Sequence, residues 1–191
     1  MKINMPLNEA LALAETVKAA LLPGCERIEI AGSLRRRKPE IGDIELVAVP
    51  KQETVADLFG KPVAVRSLLD DVIAAAGYPV IKGDRKYKQL DLGNITCDLF
   101  LQPDPATWGV NMLLRTGCAD FSHWLVTPRQ KGGAMPGWMQ SKDARLWAKG
   151  SPLDTPEEAD VFRLMGLRWI EPEERTQAFW GQVSKFLCAE K

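Results

Sequence analysis

Residues 31–46 read Ala31-Gly32-Ser33-Leu34-Arg35-Arg36-Arg37-Lys38-Pro39-Glu40-Ile41-Gly42-Asp43-Ile44-Glu45-Leu46, and this stretch decides the fold. A Gly-Ser turn and a basic run lead into Asp43-x-Glu45 at the start of an apolar strand, Ile44 to Val49, which Pro50 stops. Side chains on a strand alternate faces, so Asp43 and Glu45 point the same way. Two neighbouring carboxylates repel each other unless a cation sits between them. A divalent metal meets that need, and Gly32-Ser33 can hold the phosphates such a metal would bridge. The combination points to phosphoryl or nucleotidyl transfer. Taken alone, Asp43-x-Glu45 reads equally well as a polar strand start in solvent, a Gly-Ser pair occurs in many tight turns, and a triple Arg is often a solvated loop.

Working outward, Leu7, Ala10, Leu11, Ala14, Val17 and Leu21 recur at helical spacing and Pro23-Gly24 closes that helix. Arg27 to Ala31 alternate as a strand ending at Gly32-Ser33. Val63 to Ala76 read as a helix stopped by Gly77. Strands are expected at Tyr78–Ile81, Lys86–Leu92 and Ile95–Leu101, with turns at Gly83-Asp84 and Gly93-Asn94. Within the last of these, Asp98 is an acid flanked by apolar residues, costly there unless it pairs with a cation or metal, or with an Arg. If its strand lies beside Asp43-x-Glu45, three carboxylates converge. Three hard oxygen donors suit Mg²⁺ or Mn²⁺. Two such ions about 3.5–4 Å apart would clamp the attacking and leaving oxygens of an in-line displacement.

Pro103-Asp104-Pro105 is the expected boundary between domains at 1–104 and 105–191. Beyond it, helices are expected near 105–115 and 118–127, then a Gly- and Pro-containing loop at 132–137 and two short strands around Trp138–Gln140 and Arg145–Trp147. A helix opened by Thr155-Pro156-Glu157-Glu158 follows, its acids at the positive end of the helix dipole, and a last helix is expected over roughly 173–188.

With 46% hydrophobic and 26% charged residues, the 191-residue chain has the composition of a soluble globular protein. The apolar residues 7–22 are interrupted by Asn8, Glu9, Glu15 and Lys18, so they form an amphipathic helix and neither a signal peptide nor a membrane span. Cys25, Cys97, Cys118 and Cys188 form no Cys-x-x-Cys pair and read as free thiols of a reducing cytoplasm. His123 is the single His, which argues against a histidine metal cluster or a Ser-His-Asp triad. Basic and acidic residues balance at 25 each, whereas strong nonspecific nucleic-acid binders are usually basic. The basic residues nevertheless cluster at 35–38, at 82–88 and at Arg129 with Lys131, so a basic groove is compatible with zero net charge.

Gly32-Ser33, nine intervening residues and Asp43-Ile44-Glu45-Leu46 follow the pattern of the nucleotidyltransferase superfamily, and the stretch resembles the palm motif of the family X (DNA polymerase beta-like) DNA polymerases. Asp98-Leu99-Phe100-Leu101 before Pro103 is similar to that family's third-aspartate strand. Leu114-Arg115-Thr116-Gly117 with Phe121 resembles its nucleotide-sugar turn, and Glu157-Glu158, Phe162 and Gly166 to Arg175 look like the end of its thumb.

The resemblance implies an α/β (α+β) fold. A nucleotidyltransferase palm, a mixed sheet backed by helices, would precede a small, mostly helical thumb with a short β-hairpin. It implies that Asp43, Glu45 and Asp98 bind two Mg²⁺ or Mn²⁺ ions, and that Gly32, Ser33, Arg36 and Gly42 hold a dNTP triphosphate. Arg suits this because its planar fork stays charged and matches phosphate oxygens. Thr116-Gly117 would turn against the deoxyribose. Arg35, Arg37 and Lys38 would face DNA or solvent, and Trp124 would be the one Trp to test as a base-stacking platform. The implied activity is transfer of dNMP from dNTP to a DNA 3′-hydroxyl by a cytoplasmic, monomeric enzyme with no membrane partner. The same chemistry on an RNA, protein or small-molecule acceptor, and a catalytically silent nucleotide- or DNA-binding module, are the competing readings.

Four departures from the family pattern stand out. Only one helix is expected before the palm motif, so no counterpart of the family's helix-hairpin-helix lyase and DNA-binding domains is expected in residues 1–30. Glu45 replaces the commoner Asp. Thr96 stands where the family usually has an Arg two residues before the third Asp. Arg115 and Ser122 stand where it often has an aromatic and an Asn.

Overall fold

Apolar residues three and four apart make Leu7–Leu21 an amphipathic helix (α1), preceded by the two-residue strand Met5–Pro6 (β1). The computed structural model describes residues 4–59 and 61–176, which fall into two units. The first holds the chain up to Ile30 and Pro39–Pro103; the second holds Ala31–Lys38 and the chain from Asp104 onward. The architecture is a mixed sheet with helices in the first unit and a helical assembly with a small sheet in the second, so the fold class is α+β.

In the first unit, Cys25–Ile30 (β2) follows α1, and the short helix Gly32–Arg35 (α2) belongs to the second unit. The chain then returns as Glu40–Ile41 (β3), which pairs with β1, and Ile44–Pro50 (β4). A hairpin of Gln52–Ala56 (β5) and Pro62–Ser67 (β6) comes next, then the helix Leu69–Ala75 (α3) and the strands Val80–Gly83 (β7), Tyr87–Asp91 (β8) and Thr96–Leu101 (β9). The main sheet has the order β2-β4-β9-β8-β7. Its one parallel pair is β4 with β9; its other pairs are antiparallel. Ala10, Ala14, Val17 and Leu21 form the buried stripe of α1, which packs on β2 and β4, and α3 packs beside it. Ile44, Leu46, Ala48, Cys97, Leu99 and Leu101, the alternate residues of the two central strands, are buried, each large one contributing about 1.5–3 kcal/mol.

The expected helix over 63–76 is corrected to the seven residues Leu69–Ala75. Residues 62–67 instead pair with β5, in the register Gln52↔Ser67 to Val55↔Ala64. Val63 and Val65 are β-branched and alternate, which favours a strand, and Pro62 begins one. The hairpin leaves Val55, Leu58, Phe59, Val63 and Val65 exposed, so burial gave no periodic signal to read. Glu53 lies on β5 and Asp57 in the turn after it.

The second unit contains Trp108–Thr116 (α4), entered through a 3₁₀ turn at Pro105–Thr107, and Ala119–Val126 (α5). A meander follows: Met139–Lys142 (β10), Arg145–Ala148 (β11) and Ser151–Leu153 (β12). Glu158–Leu164 (α6) and a 3₁₀ turn at Pro172–Glu174 complete it. The core gathers Val110 and Leu113 of α4, Phe121, Trp124 and Leu125 of α5, Met139, Leu146, and Val161 and Phe162 of α6. A capping box starts α6: Glu157 caps the N3 backbone while Asp160 accepts from the Glu157 N–H at 3.0 Å. Of the expected helix over 173–188, residues 173–174 lie in the turn at 172–174 and 175–176 in no helix, and the rest lies outside the described residues.

The strand β12 was not expected, because Pro152 argues against a central strand; β12 is an edge, where Pro is tolerated. Two-residue turns join the three strands, with both central residues at positive φ: Asp143 at 54° and Ala144 at 58°, then Lys149 at 49° and Gly150 at 82°. An L-residue in the left-handed region costs roughly 1–2 kcal/mol, and Gly avoids that cost. Ala144→Gly is therefore expected to stabilise the protein by about 0.5–1 kcal/mol, read as a higher urea midpoint at unchanged slope. The Asn111 amide bond to the Ala144 carbonyl, 3.0 Å, does not depend on the side chain.

Candidate active site

The parallel pairing of β4 with β9 sets Glu45 directly opposite Asp98, with Ile44 opposite Cys97 and Leu46 opposite Leu99. Paired residues of adjacent strands share a face, and Asp43, in the bend just before β4, lies near enough for its charge to act on Tyr87 of β8. The three acids are half-buried, and the positions between them, Ile44 and Cys97, are fully buried. Their combined field acts on the neighbours. Burial, then the negative charges of Asp98 and Glu45, push the Cys97 thiol up. Tyr87 is pushed up to about 12, first by desolvation and then by its hydrogen bond to Asp98 and the charges of Asp98 and Asp43. Its hydroxyl therefore keeps its proton throughout the neutral range and remains a donor.

Asp98 is held from β8. The Tyr87 hydroxyl and the Gln89 amide each donate to Asp98 Oδ1 at 2.8 Å, and Oδ2 accepts no hydrogen bond among the described residues. Gln89 is the cross-strand partner of Asp98 and Tyr87 that of Phe100, whose ring centroid lies 5.4 Å from the Tyr87 centroid. The sequence reading missed both donors. The alternation of Tyr87, Gln89 and Asp91 in a strand antiparallel to the Asp98 strand was the signal that could have found them.

Among the described residues, no group of three Asp, Glu, His or Cys side chains is poised to hold a metal as it stands. The register sets Glu45 opposite Asp98, and Asp98 accepts from Tyr87 and Gln89. The donor set is nonetheless of the hard-oxygen type that fits Mg²⁺ or Mn²⁺, with the second oxygen of Asp98 uncommitted. Gly42 precedes this set in the first unit, and a Cβ there would come within 3.3 Å of Asn4 Oδ1.

The remaining candidates, Gly32, Ser33, Arg36, Thr116 and Gly117, belong to the second unit. Gly32 has φ of 61°, in the left-handed region that Gly enters without cost, and it opens α2. Ser33 Oγ is buried with no hydrogen-bond partner among the described residues. The Arg36 guanidinium donates to the Thr116 carbonyl, and Arg35 donates to Thr116 Oγ at 2.8 Å. Thr116 is fully buried at the end of α4, and Gly117 must be Gly, because a Cβ would sit 2.3 Å from the Phe121 ring. The second unit thus brings the Gly-Ser segment and the Thr-Gly turn together through two arginines.

Arg35 corrects an expectation. It does not face DNA or solvent but makes a two-pronged pair with Glu158, at 2.9 and 2.5 Å. Glu158, 7% exposed, also accepts from Arg175 Nη1 at 2.6 Å. Arg175 is fully buried, donates twice to the Ile170 carbonyl, and lies over the Trp169, Phe162 and Phe121 rings at 5.2, 5.6 and 5.9 Å. Burial pulls its pKa below the ordinary guanidinium value, although Glu158 opposes this; it remains a cation. Arg37 does lie at the surface, paired with Glu173 at 3.2 Å. Trp124 is no stacking platform: it is 1% exposed and packs in the core against Phe121. Arg129, of the third basic cluster, ties the Ala134 and Met165 carbonyls together. Ser122 donates to the Leu114 carbonyl at 2.7 Å.

With this geometry in view, residues 129–176 match the family described as DNA polymerase beta thumb. No curated protein matches the chain. The match runs through β10–β12 and α6 to the segment that carries Arg175, so this part of the second unit is similar to a family X polymerase thumb. No helix among the described residues is long and apolar enough to cross a membrane.

Burial alone would raise the Glu158 pKa, but Arg35 and Arg175 outweigh it and hold the carboxyl below its usual value of 4.5. The stabilisation from Glu158 is therefore complete above pH 4.5 and lost as pH falls through the lower, folded value. Glu158→Gln leaves a buried guanidinium without its counter-charge and is expected to cost about 3–5 kcal/mol in urea unfolding. Acid unfolding curves of the variant should lose part of the wild-type dependence on pH below 4.5.

Proposed function

We propose that the chain is a DNA nucleotidyltransferase that transfers dNMP from a dNTP to a DNA 3′-hydroxyl. The observation that carries this reading is the register of β4 and β9, in which Glu45 faces Asp98, with Asp43 just before β4 and its charge felt at Tyr87, which bonds Asp98. The thumb match in residues 129–176 favours DNA as the acceptor over RNA, protein or a small alcohol.

In this reading Asp43, Glu45 and Asp98 hold two Mg²⁺ or Mn²⁺ ions. Bound there, the ions would lower the pKa of the 3′-hydroxyl and offset charge on the triphosphate. The 3′-oxygen forms its bond to the α-phosphorus, the bond from that phosphorus to the β-phosphate bridging oxygen breaks, and pyrophosphate leaves with the electron pair. Asp98 would accept the hydroxyl proton in this reading. Gly32 and Gly42 offer backbone N–H groups to the triphosphate, Ser33 its hydroxyl and Arg36 a guanidinium. Thr116-Gly117 supplies the turn for the deoxyribose, its backbone fixed by Arg36 and its side chain by Arg35.

Purified protein with Mg²⁺ or Mn²⁺ is expected to extend a labelled DNA primer, resolved on a denaturing gel. Asp43→Ala should abolish extension while leaving the thermal melting temperature near that of the wild type. Offering each dNTP singly reads template dependence. Failure to extend primed, gapped or single-stranded DNA with either metal would refute the proposal.

A further inference from the structure

Asp98 is held by two neutral donors that converge on a single oxygen. Tyr87 and Gln89 stand on the same face of β8 as Asp98 does on β9, and both bonds, 2.8 Å each, fall on Oδ1. The Tyr87 ring is itself fixed by Phe100, 5.4 Å away between centroids, and lies under the Lys82 ammonium at 5.9 Å. Thr96, two residues before Asp98 on the same face, brings no charge.

From this juxtaposition we infer that Tyr87 and Gln89 are positioning residues for the metal site: they lock one oxygen of Asp98 and present the other to the cation. The inference rests on the proposed metal role of Asp43, Glu45 and Asp98. Its physical basis is that a carboxylate free to rotate must give up rotamer entropy on coordinating an ion, whereas one already oriented does not. Neutral donors suit this task, because they fix the group without cancelling the charge that attracts the ion. The two residues act through Asp98 and need not touch substrate.

The test uses Tyr87→Phe, which keeps the ring and its contact with Phe100, and Gln89→Leu. Mn²⁺ binding to the protein alone, followed by the loss of the free-ion electron paramagnetic resonance signal, is expected to weaken by about 10-fold or more in each variant, the usual scale for partners of a ligand. In primer extension the Mn²⁺ concentration giving half-maximal rate should rise in parallel, while the KM for dNTP stays at the wild-type value. A purely structural role would lower the melting temperature and move both constants together. Unchanged Mn²⁺ affinity in folded Tyr87→Phe, with wild type binding Mn²⁺, overturns the inference and leaves the proposed function standing. If wild-type protein binds no Mn²⁺, the metal reading itself falls and this inference with it. Should Gln89→Leu not fold, Tyr87→Phe decides alone.

Discussion

The parallel register of β4 against β9 is the constraint on which the first unit depends. Because side chains alternate with a period of two, slipping β9 by one residue would carry Asp98 to the packed face and Leu99 to the other. That slip would bury a carboxylate among Ile44, Leu46 and their neighbours and expose Cys97, Leu99 and Leu101, so the apolar face specifies the register that the acids use. Parallel neighbours also require a long crossover, and here it contains β5, β6, α3, β7 and β8. The length has a chemical consequence: the last strand of the crossover, β8, lies antiparallel to β9 and delivers Tyr87 and Gln89 to Asp98.

In the second unit the comparable constraint is a guanidinium taken out of water. Arg175 has no exposed surface, and its charge is met by Glu158, by the Ile170 carbonyl and by three aromatic rings. A buried ion pair contributes less to stability than its short distances suggest, since desolvation offsets most of the attraction. Its effect here is geometric. Glu158 uses both oxygens on Arg35, so the buried pair fixes the end of α2, and Arg35 and Arg36 in turn fix both ends of Thr116. The thumb-like segment at 129–176 supplies the acid and the buried cation, while residues 31–38 supply the arginines that read them.

Much of this was legible in the chain, and the exceptions share causes. The strands β2, β4, β8 and β9, α1, α4, α5 and the start of α6 each carry a periodic apolar face or a cap and lie close to where the pattern puts them. By contrast, β7 is exposed and starts two residues later than its expected strand at 78–81. The β5–β6 hairpin has neither: its valines alternate but are exposed, and their density imitates a helical run leading into α3. Arg35 was misread because a run of three arginines and a lysine looks uniformly solvated, and only the fold shows that one of the four meets a buried acid. Trp124 was misread for the opposite reason, since being near a suspected nucleotide turn says nothing about which face of α5 it occupies. The Asp43, Glu45 and Gly32-Ser33 spacing was legible because it is local, whereas the partners of Asp98 come from another strand and are set by pairing.

Thr96 and the pair Tyr87–Gln89 are best understood as one difference seen from two strands. An arginine at position 96 would share a face with Asp98 and bring a permanent positive charge beside it, orienting the carboxylate but subtracting from its pull on a cation. With Thr96 there, orientation has to come from elsewhere, and β8 supplies it through a hydroxyl and an amide on one oxygen. The charge of Asp98 adds to burial in raising the pKa of Tyr87 and of Cys97. The tether of Asp98 is thus neutral where an arginine would have made it charged, and it fixes the acid without cancelling its charge.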